Sequence, residues 1–262
     1  MYKIGGYLPS EGDLNVSVFK SNETLNNLAS ATPADGYIIP DYSPILNQSS
    51  LSSCVANAAC GSLELLKGLE DPNSIQLLSR LFVYYNARAY DNAINEDKGC
   101  YIHNALNSLT KFGVCEENLW PYDITQVFYE PSLLAYKEGN DNMITTFYQI
   151  ISEGNELIND IVLALKSVHP VIFGTKVGTD FEAYFNGDLN KVFDPTTSPV
   201  GGHAMIIVGF RTNISGEKEF LIRNSWGTSF GINGKCWFSS KYITWNETGD
   251  FFVPTRMDNL LI

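Results

Sequence analysis

A cysteine at position 54 stands inside NQSSLSSCVANAACG, residues 47–61. After it, Val55, Ala58, Ala59, Ser62, Leu65, Leu66 and Leu69 recur at i, i+3, i+4 and i+7 spacing, which predicts a helix from Cys54 to Leu69. Ser52 or Ser53 is placed to cap its first turn. A thiol at a helix N-terminus feels the positive end of the backbone dipole, which favours the nucleophilic thiolate. Ala56, Ala58, Ala59 and Gly61 add little bulk, so such a helix can cross the middle of a protein and present its first residue at a cleft. The same stretch also suits a buried structural thiol.

A nucleophilic thiol needs a base, and the base needs an orienting partner. The chain has three histidines. His103 falls within a helical pattern, and His169 precedes Pro170 at a strand entrance. His203 opens the strongest strand signal, GGHAMIIVGF (201–210). That run and EFLIR (219–223) flank a polar loop, RTNISGEK, as the arms of an antiparallel hairpin would. In a hairpin the start of the first strand lies beside the end of the second, which brings His203 next to Asn224. The Asn224 amide oxygen can there accept the imidazole N–H and fix its tautomer, with Trp226 covering the bond.

The elements that must position these groups change character along the chain. Helical patterns cover 75–90 (IQLLSRLFVYYNARAY), 101–112, with Gly113 at the stop, and 156–168 (ELINDIVLALKSV). Short apolar runs punctuated by glycine, PVIFG (170–174), AMIIVGF (204–210), EFLIRN (219–224) and KCWF (235–238), read as strands. YIIPDYSPIL (37–46) reads as extended, because its prolines push their predecessors away from helix. Residues 1–34 read as an extension with little regular structure. A helical first half and a sheet-forming second half predict an α+β protein of two lobes.

Composition narrows the function classes. At 262 residues the chain can bury a real core, and a net charge of −12 argues against a nucleic-acid or anionic-lipid partner. No apolar run approaches the roughly 20 residues of a membrane span, and the start has no apolar leader segment. Five cysteines with no CxxC pair, and only three histidines, point to no metal site and no cofactor. So few cysteines in so large a chain suit a reducing compartment.

Four stretches together resemble the papain-like cysteine peptidases: NQSSLSSC (47–54), GCYIHNALNSL (99–109), GGHAMIIVGF (201–210) and IRNSWGTSFGINGKCWF (222–238). SRLFVYYNAR (79–88) and GVCEENLWPYD (113–123) are similar to a microbial and viral subgroup of that family. The resemblance implies a papain-like two-lobed fold. A helical lobe, about 48–130, would carry the central helix. An antiparallel, barrel-like β lobe, about 140–255, would face it across the active-site cleft. The peptidase domain would span 35–262. Cys54 would be the nucleophile, His203 its base and then the acid for the leaving amine, and Asn224 the group that orients His203. Gln48 and the Cys54 N–H would donate to the oxyanion.

Gly99 and Cys100 would hydrogen-bond substrate backbone, and Trp226 would sit over the His203–Asn224 pair. Tyr101, Ile102, Gly201 and Ala204 would line the pocket for the second residue before the scissile bond, predicting Leu, Val or aromatic side chains there. The implied activity is peptide-bond hydrolysis through an acyl-enzyme, on polypeptide substrates, by a monomer. Alternatives are a catalytically weak pseudoenzyme that binds, or acyl transfer or deubiquitination at the same thiol.

The sequence departs from the family pattern in places. Leu51, Ser52 and Val55 replace a cysteine, a glycine and a tryptophan around the nucleophile. Cys100 replaces a glycine, so a thiol would stand in the cleft. Phe230 replaces a second tryptophan. No inhibitory prodomain is recognisable, and residues 1–34 are expected to cover part of the cleft, so their deletion should raise activity.

Overall fold

A helix is buried on all its faces only where it runs through a core, and the small side chains after Cys54 permit that here. In the computed structural model, which describes residues 2–73, 75–188 and 190–256, every residue from Cys54 to Leu66 is buried. The chain order begins with helix α1 (Glu23–Ser30), strand β1 (Gly36–Ile38) and the central helix α2 (Cys54–Glu70). Helices α3 (Arg80–Ala89), α4 (Ile102–Lys111) and α5 (Leu133–Gly139) complete the helical lobe.

The β lobe follows: β2 (Thr146–Ile150), α6 (Gly154–Lys166), β3 (Val171–Gly178), β4 (Val192–Phe193), β5 (Pro199–Thr212), β6 (Lys218–Arg223), β7 (Lys235–Ser239) and β8 (Thr248–Thr255). The strands form one sheet in the order β2-β8-β3-β5-β6-β7-β4, with β1 also paired to β5. The pairings are antiparallel except β4 with β7. Long β5 sits at the centre. It pairs on one side with β3, where His203 faces Thr175, and on the other with β6, where Ile206 faces Arg223.

Two apolar cores match the two lobes. One gathers α2, α3 and α4 against Ile172, Ala204, Ile206 and Phe252 from the sheet. The other packs α6 and the far face of the sheet around Phe173, Phe181, Trp226 and Phe238. The mixed α+β, two-lobed architecture expected from the sequence is the one found. The last six residues of the domain drawn to 262 lie outside the described residues.

Three local expectations need correction. The extension contains α1, whose first turn is capped by the Asn22 side chain accepting from the Leu25 N–H at 2.8 Å. The helix read over 75–90 starts at Arg80, because Leu78 gives its N–H to the buried Glu64 carboxylate at 3.0 Å and Ser79 caps from there. Ser53 occupies the cap position of α2 without a side-chain cap; its hydroxyl is held instead by Tyr122 Oη and Asn57 Nδ2.

Candidate active site

Cys54 enters the site from the first position of α2, and its neighbours are pinned from several directions. The N–H of Ser52 donates to Asp97 Oδ1 at 2.9 Å, and the Tyr84 hydroxyl donates to the same oxygen at 2.7 Å. That hydroxyl in turn accepts the Gly99 N–H at 3.1 Å, which ties the Gly99–Cys100 wall to the turn before the cysteine. Tyr122 donates its hydroxyl to the Gln48 carbonyl at 2.8 Å, and Arg80 donates to the Asn47 carbonyl at 3.2 Å while paired to Glu117 at 2.6 Å. The stretches 79–88 and 113–123 thus hold the loop that carries Gln48.

Across the site, His203 comes from β5 and Asn224 from the end of β6. His203 Nε2 lies 2.7 Å from Asn224 Oδ1, the contact the hairpin predicts. Trp226, fully buried, stacks over the imidazole at 4.9 Å between ring centres. His203 Nδ1 is buried and has no hydrogen-bond partner among the described residues. The N–H of Ala204, the next residue in the chain, approaches the Cys54 sulfur together with those of Val55, Cys54 and Gly6. Gln48 bridges the lobes: its Oε1 accepts from Ser225 Oγ at 2.8 Å and Trp226 Nε1 at 3.2 Å, so its Nε2 is aimed into the site. The sequence candidates Cys54, Gln48, His203, Asn224 and Trp226 therefore converge. His103 instead contacts Ser10 Oγ at 3.0 Å, and His169 sits among Leu28, Leu66 and Val168.

The chain's own beginning occupies this site. Gly5 donates to the Gly202 carbonyl at 2.9 Å on one wall. On the other wall, Cys100 donates to the Gly6 carbonyl and Leu8 to the Cys100 carbonyl, both at 3.2 Å. Gly6 lies directly over the thiol: a Cβ there would fall 2.5 Å from the Ser52 carbonyl oxygen and 2.9 Å from Cys54 Sγ. Gln48 Nε2 donates to the Lys3 carbonyl at 3.1 Å. Tyr2 stacks flat on Trp226 at 5.4 Å, and the Lys3 ammonium pairs with Asp97 at 2.7 Å.

The remaining wall candidates fall around this segment. Gly201 faces Ile4, Gly202 faces Tyr7, and Ile102 and Ala204 are buried in the helical core. Tyr101 tilts against His103 at 5.3 Å. Cys100 does not stand open in the cleft: it is fully buried, under backbone paired to Tyr7. All five cysteines are free thiols.

Burial governs the electrostatics. It pushes the Cys54 thiol up to about 12, against the pull of the four backbone N–H groups, and pulls His203 down to about 4, against the Asn224 hydrogen bond. With the segment in place, burial favours the neutral form of both sulfur and imidazole. Asp250 and Asp97, both drawn into the site by hydrogen bonds, carry no signal in the sequence. Among the described residues no cluster of His, Cys, Asp and Glu could hold a metal ion.

Residues 39–248 match the model of the papain family cysteine proteases. A peptidase C1-like protein of Acanthamoeba polyphaga mimivirus is 32% identical over 234 residues, covering 86% of this chain and 73% of that protein. A cysteine protease of the mite Blomia tropicalis is 28% identical over 194 residues, and the chain spans 55% of its length. The crystal structure of xylellain, a cysteine protease from Xylella fastidiosa, superposes with a TM-score of 0.84 at 27% identity, over 98% of both chains. Bromelain from Ananas comosus, at 21% identity and a TM-score of 0.66, shares the fold over 86% of this chain and all of that one.

Proposed function

The chain belongs to the papain family of cysteine proteases, and on that premise we propose that it hydrolyses peptide bonds with Cys54, His203, Asn224 and Gln48 as its machinery. The Cys54 sulfur, as thiolate, attacks the substrate carbonyl carbon and forms a C–S bond. The carbonyl oxygen takes the negative charge and is met by Gln48 Nε2–H and the Cys54 N–H. His203, holding the proton taken from the thiol, gives it to the departing amine as the C–N bond breaks. Water, deprotonated by His203, then cleaves the thioester and returns the thiol. Asn224 keeps Nε2–H engaged so that Nδ1 remains free for these transfers.

The observation that carries this reading is the Gln48 side chain. Two β-lobe donors fix its oxygen, and its N–H group already holds a peptide carbonyl, that of Lys3, in the segment whose Gly6 covers the sulfur. The test is alkylation with an epoxide directed at cysteine peptidases, read by mass spectrometry alongside cleavage of a fluorogenic peptide. Modification of Cys54 that is lost in His203→Ala, together with cleavage lost in Cys54→Ala, is expected. A folded protein that neither labels nor cleaves, even with its first residues displaced, would be a binding module instead.

The same geometry supports autoinhibition by residues 2–8. They fill the groove with main-chain pairing on both walls, and they exclude the water that an ionised thiol and imidazole require. The resting enzyme is therefore closed, and its pair ionises when the segment leaves.

A further inference from the structure

Tyr7 is the one large side chain that the segment buries beside the thiol. Its backbone is hydrogen-bonded through its neighbours to Cys100, and its ring lies flat on bare backbone. A Cβ on Gly174 of β3 would come within 2.0 Å of Tyr7 Cζ, and one on Gly202 of β5 within 3.2 Å of Cδ1. Only glycine at 174 leaves room for the ring, and a Cβ at 202 would overlap the Tyr7 carbonyl oxygen, 2.7 Å away. At the far end the phenol O–H donates to Asp250 Oδ2 at 2.9 Å, and that oxygen also accepts the Ser10 N–H at 2.8 Å.

Asp250 lies in β8 with φ of 52°, a left-handed backbone uncommon for a residue with a side chain. Such conformations persist where surrounding structure enforces them, and they cluster at functional sites. Burial, and then the Asp250 charge, push the Tyr7 phenol well above its usual range, so it remains the O–H donor that a carboxylate needs.

We infer that Asp250 sets the side-chain specificity of this protease: the pocket floored by Gly174 and Gly202 takes tyrosine, with its phenol hydrogen-bonded to Asp250. Tyr7 holds the place that a substrate's tyrosine takes once the segment leaves. Of the residues expected to line the pocket for the second residue before the scissile bond, Ile102 and Ala204 share a buried cluster with Tyr7, whereas Gly201 meets Ile4 and Tyr101 meets His103; Asp250 supplies a polar end. A phenylalanine fits the same floor but leaves the carboxylate unanswered, and one charge-assisted hydrogen bond is enough for about a tenfold preference.

This inference rests on the protease reading, and the experiment separates the two. Full-length Tyr7→Ala, with the pocket vacated, is assayed on fluorogenic peptides that differ only in Tyr or Phe as the second residue before the scissile bond. The expected ratio of kcat/KM, Tyr over Phe, is about ten, and it falls to near one when Asp250→Gly is added. Glycine is chosen because it accepts the left-handed backbone. Should Tyr7→Ala not fold, Gly6→Ala carries the same comparison. Equal rates on the two peptides, or a preference that survives Asp250→Gly, overturn the inference while cleavage itself stands. No cleavage of either peptide, with Cys54 unlabelled by the epoxide, overturns the protease reading and this inference with it.

Discussion

Gln48 shows how much one amide can be asked to do. It is fully buried, takes hydrogen bonds on its oxygen from Ser225 and Trp226, and gives them from its nitrogen to the carbonyls of Leu51 and Lys3. Removing an oxyanion donor of this kind costs about 100- to 1,000-fold in kcat. Gln48→Ala, in a protein whose cleft has been opened, is expected to lose that much kcat with little change in KM, as steady-state kinetics would show. A loss confined to KM would mean that the amide serves binding alone. Cys54, His203 and Asn224 stood out as candidates because each sits in a local pattern, a helix start, a strand start and a hairpin end, whereas Gln48 stood out only through the family resemblance of NQSSLSSC. Asp250 and Asp97 did not. Each acts through partners 243 and 45 residues away, Tyr7 and Ser52, and no short-range pattern encodes such a meeting.

At the level of elements, the position of Gly6 makes a sharp prediction. A methyl group there would overlap the Ser52 carbonyl and the Cys54 sulfur, both fixed by the start of α2, so the segment must yield. Gly6→Ala is expected to raise the rate of Cys54 alkylation at least tenfold over the parent, measured as a second-order rate constant. An unchanged rate would mean that residues 2–8 do not limit access.

The longer periodic elements were readable from the sequence because a wide apolar face repeats along them. Helix α1 was not, since only Leu25 and Ala29 of its eight residues are buried. The missing side-chain cap on α2 has a tertiary cause. Ser53 is drawn away by Tyr122, which belongs to a loop that no local rule places nearby.

Across the whole molecule, the two lobes meet over a buried charge set that the chemistry does not touch. Glu64 of α2 is buried, and its Oε2 has no hydrogen-bond partner among the described residues. Arg223, next to Asn224, donates to Ser43 and Pro44 and pairs with Asp41. Burial raises the Glu64 carboxyl to about 7, although the Leu78 N–H and the Arg223 charge oppose it. The folded chain therefore binds a proton that the unfolded chain releases near its ordinary value of 4.5. Stability from this group is complete below that value and is lost as pH rises toward 7, by on the order of 2–3 kcal/mol. Urea unfolding at pH 5 and pH 8 should show the parent losing more stability over that interval than Glu64→Gln. Parallel losses would place the pH dependence elsewhere.

The occupant of the groove is joined to the enzyme by the same polypeptide. Its local concentration is set by the length of the connecting chain and not by how much protein is present. Dilution cannot release it, and every molecule is restrained from the moment it folds, without a partner to find. A single cut between Ser10 and the first strand turns a tethered ligand into a separate peptide. At working enzyme concentrations that peptide drifts away and does not return, so the release is a one-way event.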